Sequence, residues 1–247
     1  DLFAALARAL DRMEDRLLHL GTSGPKTAVF DLDNTLLLGD IGDAVFVRLL
    51  LEHHDIDFSW AQYHELRRID QPSAFQHVVS AMQGLLRETI EKATLSMLAP
   101  HATDLRIDGD LIPVPRPHPV MRAFIRLLHW RGYRTLVVSA SNQISVRIVA
   151  RECFGIPETD AFGITPVCTP DGQLTGRLHL PLPVGNGKVD VIRNVLGTTA
   201  PLIAAGDSVL DLPMLRLCHS NGLVIWAGTD AAEMPDAFPF MVATQLR

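Results

Sequence analysis

From residue 119 to residue 228 the chain alternates between two periodicities, and few architectures accommodate that alternation. VMRAFIRLLHWRG places apolar residues at spacings of three and four and closes on Gly132, which predicts a helix, and YRTLVVSAS follows as an apolar run of strand type. QISVRIVARECFG returns to the helical period, and PVCTPDGQLTGRLHLP reads as a hairpin turning at Asp171-Gly172. KVDVIRNVLG, PLIAAGD, SVLDLPMLRLC and NGLVIWAG then read as helix, strand, helix and strand. These strands are continuous apolar runs, as expected of strands covered on both faces, and intervening helices make neighbouring strands parallel. The fold class is therefore α/β, with a mostly parallel sheet.

Upstream the pattern differs. DLFAALARALDRMEDRLLHLG puts Leu2, Leu6, Leu10, Met13 and Leu17 on one helical face, so residues 1–22 are expected to form an amphipathic helix. Its stripe either packs on the chain's own core or pairs with a second copy in a homodimer. TAVFDLD then reads as a strand. Between roughly Asp40 and Pro113 the candidates are helical, GDAVFVRLLLEHH, SWAQYHELRRI and SAFQHVVSAMQGLLRETIEKATLSML, with little strand signal. IPVPRPHP ends this section as a linker would. The expected organisation is an N-terminal helix (1–22), a core made of 23–40 and 114–247, and a helical insertion at 41–113.

With 47% hydrophobic residues in 247, such a chain buries a substantial core. A net charge of -6 argues against a nucleic-acid partner, whose phosphate backbone selects basic surfaces. No apolar run approaches the roughly 20 residues that span a bilayer, so no membrane partner is expected. Cys153, Cys168 and Cys218 are scattered, which speaks against a disulfide framework or zinc site and for packing residues in a reducing, cytoplasmic compartment. The first residue is Asp1 and not Met, so loss of a signal peptide stays compatible with the sequence.

Against this apolar background the aspartates of AVFDLDNTLLLGD stand out, because carboxylates are seldom enclosed without partners. Ligands of an open parallel sheet collect at the carboxyl ends of its strands. Asp31 with Asp33, Ser139, Lys188, and Asp207 with Asp211 all fall at or just beyond such predicted ends. Asp31, Asp33 and Asp207 form an oxygen-rich set suited to Mg2+. Lys188, the Ser139 hydroxyl and backbone N–H groups after it suit a phosphate, so the chemistry fits phosphoryl transfer with one carboxylate as nucleophile and another as proton donor.

DLDNT at 31–35, VVSAS ending the strand through Ser139, Lys188 in GNGK and GDSVLD at 206–211 occur in an order that resembles haloacid dehalogenase (HAD) superfamily phosphatases, specifically the phosphoserine phosphatase-like branch. DGQLTG before the lysine is similar as well. The resemblance spans about three quarters of the chain and implies a Rossmann-like three-layer α/β/α core with an inserted helical C1-type cap. It implies that Asp31 is the nucleophile, that Asp33 is the general acid and base with its backbone carbonyl on the metal, and that Ser139, the Ala140 backbone and Lys188 bind the phosphoryl group. Asp31, Asp33 and Asp207 would hold Mg2+, with Asp211 in support through water or Lys188. Because dehalogenases lack the second aspartate, Asp33 favours a phosphatase. The expected partner is a small phosphorylated metabolite, admitted under the cap.

On the leaving-group side Asp40 matches the acidic residue that recognises the substrate amino group in phosphoserine phosphatases, and Asp43 follows one helical turn later. The resemblance supplies no matched cap arginine: Arg67 and Arg68 in HELRRID read as a solvated helix face. Ala140 and Ser141 stand where glycines are common in that branch. SASNQISVRIVARECFGIP is also similar to phosphorylcholine phosphatases, for which Asp40, Asp43, Trp60 and Tyr63 would have to cage a trimethylammonium group, although Trp60 and Tyr63 read more simply as core residues. His53 and His54 read as a polar helix face. Phosphotransfer to an acceptor other than water, and a non-catalytic phosphate-binding module, are the remaining alternatives.

Overall fold

A computed structural model describes residues 2–19, 26–53, 55–228 and 241–243. The first helix, α1 (Leu2–His19), lays Leu6, Leu10 and Met13 into the chain's own core, where it packs on α6 (Pro119–Trp130). Its apolar stripe is therefore engaged within the chain. Strand β1 (Thr27–Phe30) precedes a short β2 (Leu37–Leu38), and helices α2 (Ile41–Glu52), α3 (Trp60–Ile69), α4 (Gln71–Ala81) and α5 (Arg87–Leu98) follow. Two small strands, β3 (Leu105–Ile107) and β4 (Asp110–Ile112), and the returning β5 (Arg116–Pro117) lead into α6. The remainder is β6 (Arg134–Asn142), α7 (Gln143–Phe154), β7 (Ala161–Ile164), β8 (Pro166–Cys168), β9 (Leu174–Leu178), α8 (Asn186–Leu196), β10 (Ile203–Gly206), α9 (Leu212–Leu215), β11 (Leu223–Trp226) and β12 (Met241–Ala243).

The main sheet has the order β12-β11-β10-β1-β6-β7 with all pairings parallel. Alternate residues of each central strand enter opposite cores. Ala28, Phe30, Ile203, Ala205, Leu223 and Ile225 face one cluster, and Val29, Ala204, Val224 and Trp226 face the other. Helices α6 and α7 pack on β6 from the first side; α8 and α9 cover the second, where Val191, Ile192, Met214 and Leu215 fill the core. This is the three-layer α/β/α arrangement. The edge strands β7 and β12 have no counterpart in the sequence reading: β12 has only three residues, and β7, AFGI, carries a glycine inside its run.

The insertion departs from an all-helical pattern. β3 and β4 form a hairpin whose turn residues, Asp108 and Gly109, take positive φ of 50° and 91°. The long helix expected from Ser73 to Leu98 is two helices, α4 and α5, interrupted between Met82 and Leu86. In that break the Gly84 N–H donates to the Leu174 carbonyl and the Leu174 N–H to the Leu85 carbonyl, both at 2.9 Å, so the connection is joined to the β8–β9 hairpin. The outgoing and returning chains, β2 and β5, pair antiparallel. Among the described residues no helix is long and apolar enough to cross a membrane. Cys168 is exposed rather than packed, while Cys153 and Cys218 are half-buried.

Candidate active site

β1 lies between β10 and β6, so the chain leaves these neighbouring strands at a common edge, where parallel sheets gather ligands. Asp31 follows β1 directly, anchored by its N–H to the Ala205 carbonyl at 2.9 Å. Its side chain is buried, and Oδ1 accepts a 2.6 Å hydrogen bond from Lys188 Nζ. Lys188 donates equally to Asp211 Oδ1 at 2.6 Å and is itself only 2% exposed. This cation is the third residue of α8, and its position depends on the residue before it: a Cβ on Gly187 would lie 1.8 Å from the Leu182 carbonyl oxygen.

Asp211 is fixed at both oxygens. Oδ2 accepts from the Asp207 and Ser208 N–H groups and the Ser208 hydroxyl, each at 3.1 Å, while Oδ1 faces Lys188. Carboxylate oxygens of Asp31, Asp207 and Asp211 lie within 4.8 Å of one another. Burial pushes the Asp31 carboxyl up to about 7, with Lys188 opposing and Asp211 and Asp33 reinforcing the rise. Asp207 is pushed up to about 9 by burial and then by Asp31 and Asp211. Lys188, in spite of burial, is held charged by its two carboxylates, so one ammonium faces more negative charge than it balances. A hard divalent cation fits such an all-oxygen donor set, Asp31 and Asp207 in particular, because Asp211 already has partners on both oxygens.

Asp33 lies two residues further on. Oδ1 accepts from the Ile41 N–H at 2.7 Å, and Oδ2 accepts from the Ser139 hydroxyl at 3.0 Å and the Ser141 hydroxyl at 2.7 Å. Burial raises its carboxyl above the ordinary value against these donors. Ser139 is fully buried near the end of β6, which runs on to Asn142. The N–H groups expected to reach a ligand from a helix start are therefore only partly available: Ser141 N–H donates to Ser139 Oγ at 3.0 Å and Ile144 N–H to Asn142 Oδ1 at 2.9 Å. Ala140, between them, lines the cavity.

All nine residues singled out in the sequence, Asp31, Asp33, Asp40, Asp43, Ser139, Ala140, Lys188, Asp207 and Asp211, border one cavity of about 790 Å3, counted to its open mouth. Helices α2, α3 and α4 close it on the side away from the sheet. Asp40 caps α2, accepting from the Asp43 N–H at 2.9 Å, and its carboxyl is raised well above the usual range by burial, then by Asp43 and Asp33. Asp43 accepts from Tyr63 Oη at 2.7 Å and from Arg67 Nη1 at 3.0 Å; Arg67 also reaches Tyr63 Oη at 3.1 Å. Phe75, Val78 and Met82 supply an apolar wall.

Arg67 corrects the sequence reading. Only Arg68 lies on the solvated face, paired with Glu65, whereas Arg67 borders the cavity and ion-pairs with Asp43. The spacing carried the signal, for Trp60, Tyr63 and Arg67 follow each other by three and four and share one face of α3. Trp60 and Tyr63 are buried, as core residues should be, yet Tyr63 also turns its hydroxyl to the site. Trp60 Nε1 donates to Asp110 and takes no part in the cavity wall. His53 ends α2, half-buried; His54 lies outside the described residues. Ser141 and its bond to Asp33 had no signal beyond their departure from glycine.

Comparison with known proteins agrees with this fold. A phosphoserine phosphatase with an analogue of its phospho-aspartyl intermediate superimposes with TM-score 0.55 and 21% identity, over 83% of this chain and 87% of that one. A substrate-bound phosphoserine phosphatase gives 0.58 and 19%, over 89% and 93%. A HAD family hydrolase from Salmonella enterica serovar Typhi gives 0.61 and 16%, over 88% and 68%. No curated protein sequence matches significantly. The profile of haloacid dehalogenase-like hydrolases matches residues 28–216, from β1 to beyond Asp211, and the chain belongs to that family.

Proposed function

We propose that the protein hydrolyses a small phosphomonoester through an aspartyl-phosphate on Asp31. The observation that carries this reading is the division of labour between two neighbouring carboxyls: Asp31 is held by Lys188, while Asp33 is held by hydroxyls and one N–H. An Asp31 oxygen attacks phosphorus as the bond to the ester oxygen breaks, and the departing oxygen takes a proton from Asp33. Water then attacks the phosphoryl group, giving its proton to Asp33, and the P–O bond to Asp31 breaks. Lys188 neutralises charge on the phosphoryl oxygens, and Ser139 donates to one of them. Mg2+, held by the Asp31 and Asp207 carboxylates and the Asp33 carbonyl, would supply further positive charge to the phosphoryl group when bound.

The insertion, residues 41–113, acts as a cap that limits the leaving group to a small one and excludes bulk water. The polar groups beneath it favour a phosphoserine-like substrate: Asp40, at the start of the insertion, offers an acceptor for an ammonium, and Arg67 is the cation near it. A trimethylammonium cage is less well supported, because the Arg67 guanidinium already lies 5.7 Å from the Tyr63 ring centre and 5.6 Å from that of Phe75. Phosphate release from phosphoserine, phosphoethanolamine, phosphocholine and sugar phosphates, measured with saturating Mg2+, tests the proposal. At least one is expected to turn over, with no release by Asp31→Asn. Binding without release by any of them would overturn the phosphatase reading.

A further inference from the structure

Asp33 has more hydrogen-bond partners than orientation alone requires, and they are of two kinds. Oδ1 receives the Ile41 N–H at 2.7 Å, a backbone donor that cannot turn away. Oδ2 receives two hydroxyls, Ser141 at 2.7 Å and Ser139 at 3.0 Å. Ser139 Oγ also accepts the Ser141 N–H, so its single proton is committed to Asp33 in this state. A phosphoryl group that takes the Ser139 hydroxyl must therefore take it from Asp33. Once that happens, one position on Oδ2 is vacated toward the phosphoryl group and the other stays with Ser141.

We propose that Ser141 is a positioning residue that, with the Ile41 N–H, clamps the Asp33 carboxyl at both oxygens and leaves open only the Oδ2 position facing the ester oxygen. The clamp is built from both sides. Ser141 is buried, and α2 approaches it closely enough that a Cβ on Gly42 would lie 2.5 Å from Ser141 Oγ. A glycine at position 141, the residue type common in the phosphoserine phosphatase branch, has no hydroxyl for this task. The proposal rests on the phosphatase reading, since it concerns how the proton reaches the leaving group.

A misoriented proton donor harms only those substrates that need the proton. Phenyl phosphate and p-nitrophenyl phosphate have nearly the same shape, but the nitrophenolate departs without protonation. In Ser141→Ala, kcat/KM for phenyl phosphate is expected to fall on the order of 10-fold while that for p-nitrophenyl phosphate changes less than about 2-fold. This ratio reports steps through leaving-group departure, so later hydrolysis of the phospho-enzyme does not enter. If the pocket refuses the rings, ethyl phosphate, whose alkoxide needs the proton, and acetyl phosphate, whose acetate leaves without it, make the same comparison. If Ser141→Ala does not fold, Gly42→Ala crowds the hydroxyl from the opposite side and is read in the same way. Equal losses for both esters, or none, would overturn the role of Ser141. Failure of the wild-type protein to release phosphate from any ester would instead overturn the function on which it rests.

Discussion

Lys188 shows at the residue scale what the buried carboxylates require. Its ammonium is enclosed between Asp31 and Asp211, whose side chains are 8% and 1% exposed, and solvent screens neither contact. Lys188→Met would leave two enclosed carboxyls without their cation; removing one partner of a buried pair typically costs about 3–5 kcal/mol. Urea unfolding of the metal-free variant should register that loss, and an unchanged midpoint would contradict it. Arg67 is a different case, half-exposed and engaged with Asp43 on the leaving-group side. Arg67→Ala is expected to raise KM for the preferred substrate about 10-fold or more, consistent with loss of a charged contact worth at least 1.4 kcal/mol, while inhibition by inorganic phosphate stays as it was. Weakened phosphate inhibition would place Arg67 with the phosphoryl group instead. Asp31, Asp33, Ser139 and Asp207 were legible in the sequence as polar residues at or just past the ends of apolar runs, and Lys188 and Asp211 as polar residues at the starts of the helical segments that follow. Arg67 was obscured by Arg68, since an arginine pair on an amphipathic helix resembles a solvated face until the helix is docked.

Elements place these residues, and the central ones were readable from periodicity. β1, β6, β10 and β11 are apolar runs bounded by turn residues, and burial on both faces preserves that signature. The edges were not readable. β7 is AFGI, its run interrupted by Gly163, and β3 with β4 was hidden in a segment whose helices dominated the pattern, although Asp108-Gly109 is itself a hairpin signal. The parting of α4 and α5 in QGLLR has one local sign, Gly84, which takes a positive φ of 89°, and a long-range pairing with Leu174 secures it. The turn before α8 offers a direct test of how element geometry sets the site. Gly187→Ala would drive a methyl into the Leu182 carbonyl, 1.8 Å from its ideal position, so the α8 N-terminus must shift. A loss of about 1–3 kcal/mol is expected from such overpacking, together with a fall in turnover larger than in Gly109→Ala, which strains a positive φ of 91° but lies outside the cavity wall. Thermal denaturation and phosphate release on the two variants decide this, and equal turnover would detach Lys188 placement from the turn.

Across the whole molecule the insertion is held to the rest of the chain at separate places. β2 pairs with β5, the α4–α5 connection bonds to β9, and a buried contact of 2.8 Å joins Thr94 of α5 to Ser145 of α7. The cavity so enclosed concentrates carboxyls, and its charge balance should govern stability as a function of pH. Asp31 and Asp207, raised to about 7 and about 9 from an ordinary 3.8, bind protons in the folded chain at pH values where the unfolded chain has released them. Their contribution to stability is full below the ordinary value and is lost as pH rises through about 7 and then about 9. Metal-free protein is therefore expected to melt at a lower temperature at pH 9 than at pH 6. Mg2+ held by these carboxylates would replace the missing protons with its own charge, and a ligand at about 100 times its Kd adds about 2.7 kcal/mol to the folded state. At pH 6 the same ion must compete with bound protons, so its stabilisation should be smaller there than at pH 9. Thermal melts with EDTA and with excess Mg2+ at both pH values measure the four quantities; an ion effect that is absent, or larger at pH 6, would mean that these carboxyls do not share a cation.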